Sequence, residues 1–162
     1  MSTPIIGIIM GSESDMDIMG EAAKVLEEFG VVHEVRIVSA HRTPDVMTEY
    51  AATAKERGLQ VIIAGAGGSA HLPGMTASHT VLPVIAVPIK RNENDHEALW
   101  SSIKMPPGVP LATLPENGAK NAALMAIEII ALGNSELTAK YEAFRQKQHD
   151  DVVETDKRLQ QS

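Results

Sequence analysis

Two hydrophobic periods take turns along this chain. Short runs dominated by Ile and Val occur at residues 5–10, 31–38, 61–64, 83–88 and 109–113. Runs of that length bounded by Gly, Pro and Ser predict strands, and the uncharged ones predict strands covered on both faces. The run at 31–38 is interrupted by His33, Glu34 and Arg36, which places it toward a sheet edge. Between these runs the period lengthens. Met16, Met19, Ala22, Ala23, Leu26 and Phe29 recur every three or four residues with Glu21, Lys24, Glu27 and Glu28 between them, predicting an amphipathic helix over 16–29 that Gly30 ends. Thr43 and Pro44 fit an N-cap and first helical position, opening a helix that runs to about Arg57 and stops at Gly58. A third helix takes Pro73 in its first turn, a brief fourth covers 97–104 before Met105-Pro106-Pro107-Gly108, and an alanine-rich fifth covers 117–132. A charged amphipathic helix is expected from Ser135 to about Val153, with fraying beyond it.

Strand and helix alternate five times in 162 residues, with no internal repeat or low-complexity linker. That alternation predicts one α/β domain over 1–162: a three-layer, doubly wound, parallel five-stranded sheet in the flavodoxin-like order 2-1-3-4-5, with a C-terminal helical extension. In that order ligands sit beyond the strand carboxyl ends, where strands 1 and 3 diverge. Three loops are expected to meet there: Gly11 to Asp15, Ser39 to Pro44, and Gly65 to Gly74. The last is the stretch around which the chain is organised. Its apolar strand 61–64 empties into Gly65-Ala66-Gly67-Gly68, where missing Cβ atoms let backbone amides approach a ligand as the chain leaves the sheet. The alternative is a tight strand-to-helix connection whose glycines serve packing.

Composition narrows the function classes. Fourteen Lys plus Arg against 21 Asp plus Glu give a net charge of −7, which argues against a broad footprint on a phosphate backbone. Aromatics are only 3% of the chain, too few for a single-strand stacking platform. No nucleic-acid partner is therefore expected. The absence of cysteine removes disulfides, thiolate nucleophiles and thiolate-held metals. No apolar run approaches the ~20 residues of a membrane span and nothing at the N-terminus resembles a signal peptide, so no membrane partner and a cytoplasmic location are expected.

The three loops carry the candidate chemistry. Arg42, several hydroxyls and helix N-termini together make an anion-binding group, since each presents donors or positive charge. Arg42 is the strong phosphate contact in this reading, and a surface salt bridge is the alternative. Asp15 can accept two ribose hydroxyls or merely cap the first helix. The pattern suggests a sugar phosphate or mononucleotide. It is neither a Walker loop, because no Gly-Lys-Ser/Thr follows the glycines, nor the dinucleotide Gly-x-Gly-x-x-Gly. His41 and His71, both at strand ends, permit proton transfer near neutral pH. A metal pair is the competing idea, but neither histidine has a second ligand at a familiar spacing, and no metal or other cofactor is expected. Serine hydrolysis lacks its Gly-x-Ser-x-Gly elbow. The remaining histidines, at 33, 79, 96 and 149, are assigned to structure or surface.

Met10-Gly11-Ser12-x-Ser14-Asp15, Ser39-Ala40-His41-Arg42-Thr43-Pro44 and Ala64-Gly65-Ala66-Gly67-Gly68-x-Ala70-His71-Leu72-Pro73-Gly74 closely resemble, in that order, the motifs of the PurE family of purine biosynthesis. The resemblance runs from residue 5 to about 88 and resumes at Met105-Pro-x-Gly-x-Pro and Asn121-Ala-Ala-Leu. It implies an N5-carboxyaminoimidazole ribonucleotide mutase, an isomerase that moves the carboxyl group to C4 without metal, ATP or biotin, in octamers with active sites at subunit boundaries. On this chain it implies His41 as general acid/base, with His71 positioning the carboxyl group or CO2. Ser12, Ser14, Asp15, Ser39 and Arg42 would hold the ribose phosphate, and Gly65, Ala66 and Leu72 would line the base and CO2 pocket. Two segments depart from the family pattern. Lys90-Arg91-Asn92-Glu93-Asn94-Asp95-His96-Glu97 replaces a Ser/Leu/Gly-containing loop that normally helps cover the substrate, and residues 114–120 are shortened. The related carboxylases that take free CO2 typically carry Lys where this chain has Arg42, so the resemblance favours the mutase. Carboxylation of aminoimidazole ribonucleotide by free CO2, and nucleotide binding without turnover, are the alternatives.

Overall fold

The structure, a computed structural model, describes residues 3–161. Five parallel strands form the sheet: β1 (Ile6–Met10), β2 (His33–Ile37), β3 (Val61–Gly67), β4 (Val84–Ile89) and β5 (Ala112–Thr113), in the order β2-β1-β3-β4-β5. A 3-10 turn at Glu13–Asp15 leads into α1 (Met16–Glu28), and the later helices are α2 (Pro44–Thr53), α3 (Leu72–Ser78), α4 (Glu97–Ile103), α5 (Ala119–Ala131) and α6 (Ser135–Gln160). The residues fall into two compact units, one ending at Ala126 and one beginning at Ile127.

Side-chain alternation sorts the helices of the first unit onto two faces. Ile9, Ile62, Ala64 and Ala66 share a buried cluster with Met47 and Tyr50 of α2, Leu72 of α3 and Ala98 of α4. The opposite pleat faces α1, where Met19 fills the space a Cβ on Gly65 would need. Lys120, at the start of α5, pairs with Glu21 of α1 at 3.2 Å. Right-handed crossovers running outward in both directions from β1 and β3 produce this division. β1 and β4 are buried along their whole length, whereas β2, at the edge, leaves Val35 and Ile37 exposed. The doubly wound sheet, its order and the C-terminal helix are therefore as the hydrophobic pattern predicts.

Several boundaries differ from the pattern, and four in the first unit have a specific physical reason. β3 continues three residues past Ala64, because Gly65, Ala66 and Gly67 still pair with Val87, Pro88 and Ile89. The chain turns at Gly68, whose φ of 58° lies in the left-handed region. β4 likewise passes through Pro88. The Pro88 carbonyl accepts from the Asn117 N–H on the β5 side, beyond the end of β5, so the donor that proline lacks has no ladder partner to lose. β5 covers only two residues, because Pro110 interrupts donation along the expected 109–113 run. α2 ends at Thr53, four residues early, and Gly58 with φ 95° closes the following turns through its N–H to the Lys55 carbonyl.

In the second unit α6 continues to Gln160, well beyond Val153. Apolar periodicity fades there, but side-chain bonds across one turn continue, Arg158 Nη2 to Thr155 Oγ1 at 3.2 Å and Gln160 Nε2 to Asp156 Oδ2 at 2.8 Å, and Lys157 and Arg158 occupy the last turn, where they complement the helix dipole. Asn134 caps its start, accepting from the Leu137 N–H at 3.1 Å. Of its apolar and aromatic side chains, Leu137 is buried, Tyr141 and Phe144 stack with ring centroids 6.2 Å apart, and Val152 is exposed. No helix among the described residues is long and apolar enough to cross a membrane.

Candidate functional site

Strand register brings the candidate loops to one level. Met10, the last residue of β1, is paired with Ile37 on one side and Gly65 on the other, so the chain leaves β1 and β2 side by side while β3 rises slightly higher. The loops enclose a pocket of about 320 Å³, at the small end of the range for ligand sites. Its wall comprises Gly11, Ser12, Ser14 and Asp15, then Ser39 to Arg42, then Gly67 to Ser69 with His71 and Leu72, and finally Arg91.

The first two loops are held by their own polar side chains, whereas the third is tied to α4, Ser69 Oγ donating to Glu97 at 2.8 Å and the Ala70 N–H to Ser101 Oγ at 2.9 Å. Ser12 caps the 3-10 turn, its Oγ accepting from the Ser14 N–H at 3.4 Å and from the Ser14 hydroxyl at 3.1 Å. Asp15 is buried yet makes no capping bond to α1, which removes the capping role weighed for it. Ser39, also buried, accepts from the Arg42 N–H at 3.1 Å and from Arg42 Nε at 3.3 Å. Arg42 Nη2 donates to the Gly11 carbonyl, tying the second loop to the first. Among the described residues Arg42 has no carboxylate partner, so its charge is not spent on a surface salt bridge. Thr43 differs from expectation. Its hydroxyl accepts from the Ser39 N–H and donates to the Ser39 carbonyl, both at 3.1 Å, instead of capping α2.

The two loop histidines meet. His41 Nε2 lies 2.8 Å from His71 Nδ1, with the rings 83° apart and both side chains exposed. One of these nitrogens must donate and the other accept, so the contact holds a single proton between the two rings. His41 Nδ1 and His71 Nε2 are left to face other partners, an arrangement suited to relaying a proton. Leu72 supplies an apolar, buried wall at the start of α3. Gly65 and Ala66 do not line the pocket; they lie inside β3, and the glycine wall expected of them is made by Gly67 and Gly68. The other four histidines bond elsewhere: His33 to the Val31 carbonyl, His79 to the Met75 carbonyl, His96 to Glu116 and His149 to Asp150.

Arg91 belongs to the site without having been expected there. Its Nη2 contacts Asp15 Oδ1 at 3.1 Å and the Ser14 carbonyl, and its Nη1 contacts Asp17 Oδ2 at 3.0 Å. The two carboxylates, Asp17 foremost, hold the guanidinium more firmly protonated than usual. The signal available in the sequence was positional: the loop after β4 also leaves a strand carboxyl end, next to β3. Among the described residues no group of three or more His, Asp or Glu side chains is arranged to hold a metal.

The family model described as AIR carboxylase matches residues 5–151, which takes in all three motifs and the loop bearing Arg91. The chain belongs to the AIR carboxylase family. Within the AIR carboxylase family it is 52% identical over 159 residues to the N5-carboxyaminoimidazole ribonucleotide mutase of Thermotoga maritima, covering 98% of this chain and 93% of that protein. It is also 51% identical over 154 residues to the phosphoribosylaminoimidazole carboxylase of Saccharomyces cerevisiae, covering 94% of this chain but 27% of that longer protein. Among solved structures, Treponema denticola PurE superposes with a TM-score of 0.85 at 31% identity, over 96% of this chain and 98% of that one. The resemblance to PurE read from the three motifs is thus borne out.

Proposed function

We propose that this chain is an N5-carboxyaminoimidazole ribonucleotide mutase of purine biosynthesis, acting through the His41–His71 pair. The observation that carries the reading is that pair, 2.8 Å apart at a pocket also lined by Arg42, Asp15 and the hydroxyls of Ser12, Ser14 and Ser39. The name of the Thermotoga maritima relative supports it. In the proposed reaction the N5–carboxyl bond breaks, CO2 is released within the pocket, and the nitrogen takes a proton from His41. C4 then attacks the CO2, and the C4 proton returns to His41, so no proton is gained or lost overall. His71 orients the carboxyl group and keeps His41 in the required tautomer. Arg42 and the hydroxyls of Ser12, Ser14 and Ser39 bind the phosphate, while Asp15 accepts from the ribose diol. Leu72 lines the base and CO2 pocket, with Gly65 and Ala66 supporting the wall from within β3. The reaction as proposed needs no metal or other cofactor.

Free CO2 as the substrate is the second reading, and the name of the yeast relative, at nearly the same identity, favours it. Supplying the N5-carboxylated ribonucleotide and aminoimidazole ribonucleotide separately, with and without bicarbonate, separates the two. Turnover of the first alone, without bicarbonate, supports the mutase; turnover of the second alone, dependent on bicarbonate, overturns it. The same reading carries a homo-octamer and a cytoplasmic location, which family resemblance supports.

A further inference from the structure

The Lys90–His96 loop is tied down from the far side by two adjacent residues. Asn117 has φ 58°, in the left-handed region where asparagine is better tolerated than most side chains. In that conformation its amide lies along the backbone of Lys90. The Lys90 N–H donates to Asn117 Oδ1 at 2.8 Å, and Asn117 Nδ2 donates to the Lys90 carbonyl at 3.1 Å. β5 has stopped at Thr113, so this side-chain amide continues the pairing that a longer strand would have given. Glu116 holds both ends of the loop, Lys90 Nζ at 3.5 Å and His96 Nδ1 at 2.8 Å.

The residue next to the clamped Lys90 is Arg91. Its contact with Oδ1 is the one hydrogen bond of the Asp15 carboxylate among the described residues. Oδ2 faces Gly11 in the pocket wall, 3.9 Å from where a Cβ would stand on that glycine. A carboxylate that turns freely must be ordered by each ligand it binds, whereas one already held through a single oxygen presents the other in a fixed direction.

We propose that Arg91 is a specificity-determining residue, aiming the Asp15 carboxylate at the ribose diol, and that Asn117 is the positioning residue that fixes Arg91. The inference rests on the proposed function in one respect, that a ribose lies against Asp15.

The test is calorimetric binding of 5-aminoimidazole ribonucleotide and of its 2′-deoxy counterpart to the full chain. The variants are Arg91→Gln, Asn117→Gly, Asn117→Asp and the double variant Arg91→Gln/Asn117→Gly. Glycine keeps the left-handed backbone while removing both side-chain bonds, and aspartate keeps the acceptor for the Lys90 N–H alone. The wild-type chain is expected to prefer the ribonucleotide by about tenfold or more. Arg91→Gln and Asn117→Gly each lose most of that preference, Asn117→Asp loses part of it, and the double variant is no worse than Arg91→Gln. Undiminished preference in Arg91→Gln overturns the specificity role, and additive losses in the double variant overturn the positioning of Arg91 by Asn117. Binding is read without turnover. A chain that shows these preferences but does not convert the N5-carboxylated ribonucleotide upholds this inference and removes the proposed reaction. A chain that converts it while Arg91→Gln keeps full preference does the reverse.

Discussion

The loops that follow β1 and β2 and the loop that follows β4 wall the same pocket but are built by different means. The first two hold themselves together with bonds between residues two to four apart: Ser12 with Ser14, Ser39 with Arg42 and Thr43. The β4 loop is held from a distance, by Asn117 27 residues from Lys90 and through Arg91, 76 residues from Asp15. A loop of the first kind carries its conformation in its own motif. One of the second kind takes its conformation from distant partners, so its own residues do not show where it will lie.

The largest expected effect lies in the self-contained region. His41→Asn removes the proton-transfer group from an exposed loop, so turnover should fall about 10²–10⁴-fold while ribonucleotide affinity and thermal stability stay near wild type. Steady-state kinetics beside calorimetry check this; near wild-type turnover would take His41 out of the reaction. Arg42→Ala should cost roughly 1.5–3 kcal/mol of binding, since it removes a charge-assisted phosphate contact. Arg42→Lys should restore only part of it, because the bonds to Ser39 and Gly11 need the planar fork. Affinity unchanged from wild type in both variants, measured with aminoimidazole ribonucleotide, would locate the phosphate elsewhere.

Gly65→Ala separates packing from ligand contact. The added methyl would stand 2.8 Å from Met19 Cγ and 2.9 Å from Cε, and Met19 is fully buried. Overpacking of this kind costs about 1–3 kcal/mol. Denaturant unfolding should register that loss, while ligand affinity at low temperature changes little; lost affinity with unchanged stability would return Gly65 to the ligand wall. The smallest effect is expected at the far end of the β4 loop. His96→Ala removes an exposed pair with Glu116, worth at most about 1 kcal/mol, and the Asn117 bonds remain to hold Lys90. A KM change as large as that of Arg42→Ala would make the ion pair, rather than the amide, the anchor of the loop.

Hydrophobic period made the sheet order, the edge character of β2 and the helix positions legible, because burial on two faces or one leaves different residue patterns. Its failures are equally specific. The end of β3 was misplaced because Gly65 and Gly67 look like a turn by propensity, whereas ladder pairing with Val87 and Ile89 and the Met19 side chain keep them in the sheet. α6 outran its predicted end because polar bonds across one turn and basic residues in the last turn favour helix after apolar spacing has faded. At the site, the motifs brought Ser12, Ser14, Asp15, Ser39, His41, Arg42, His71 and Leu72 to one pocket, as strand order 2-1-3-4-5 requires. Arg91 escaped notice because nothing local marks it; its place depends on the left-handed Asn117, far along the chain, which reads in sequence as an ordinary turn residue.

Central to the mutase reading is that the carboxyl carbon stays within the pocket during its transfer. Ribonucleotide carrying 13C only in its N5-carboxyl group, incubated with the wild-type chain in excess unlabelled bicarbonate, decides this by mass spectrometry of the C4-carboxylated product. Retention of most of the label in the product is the predicted result. Product carrying the unlabelled carbon of the bicarbonate pool would contradict the mutase and make this chain a carboxylase of free CO2.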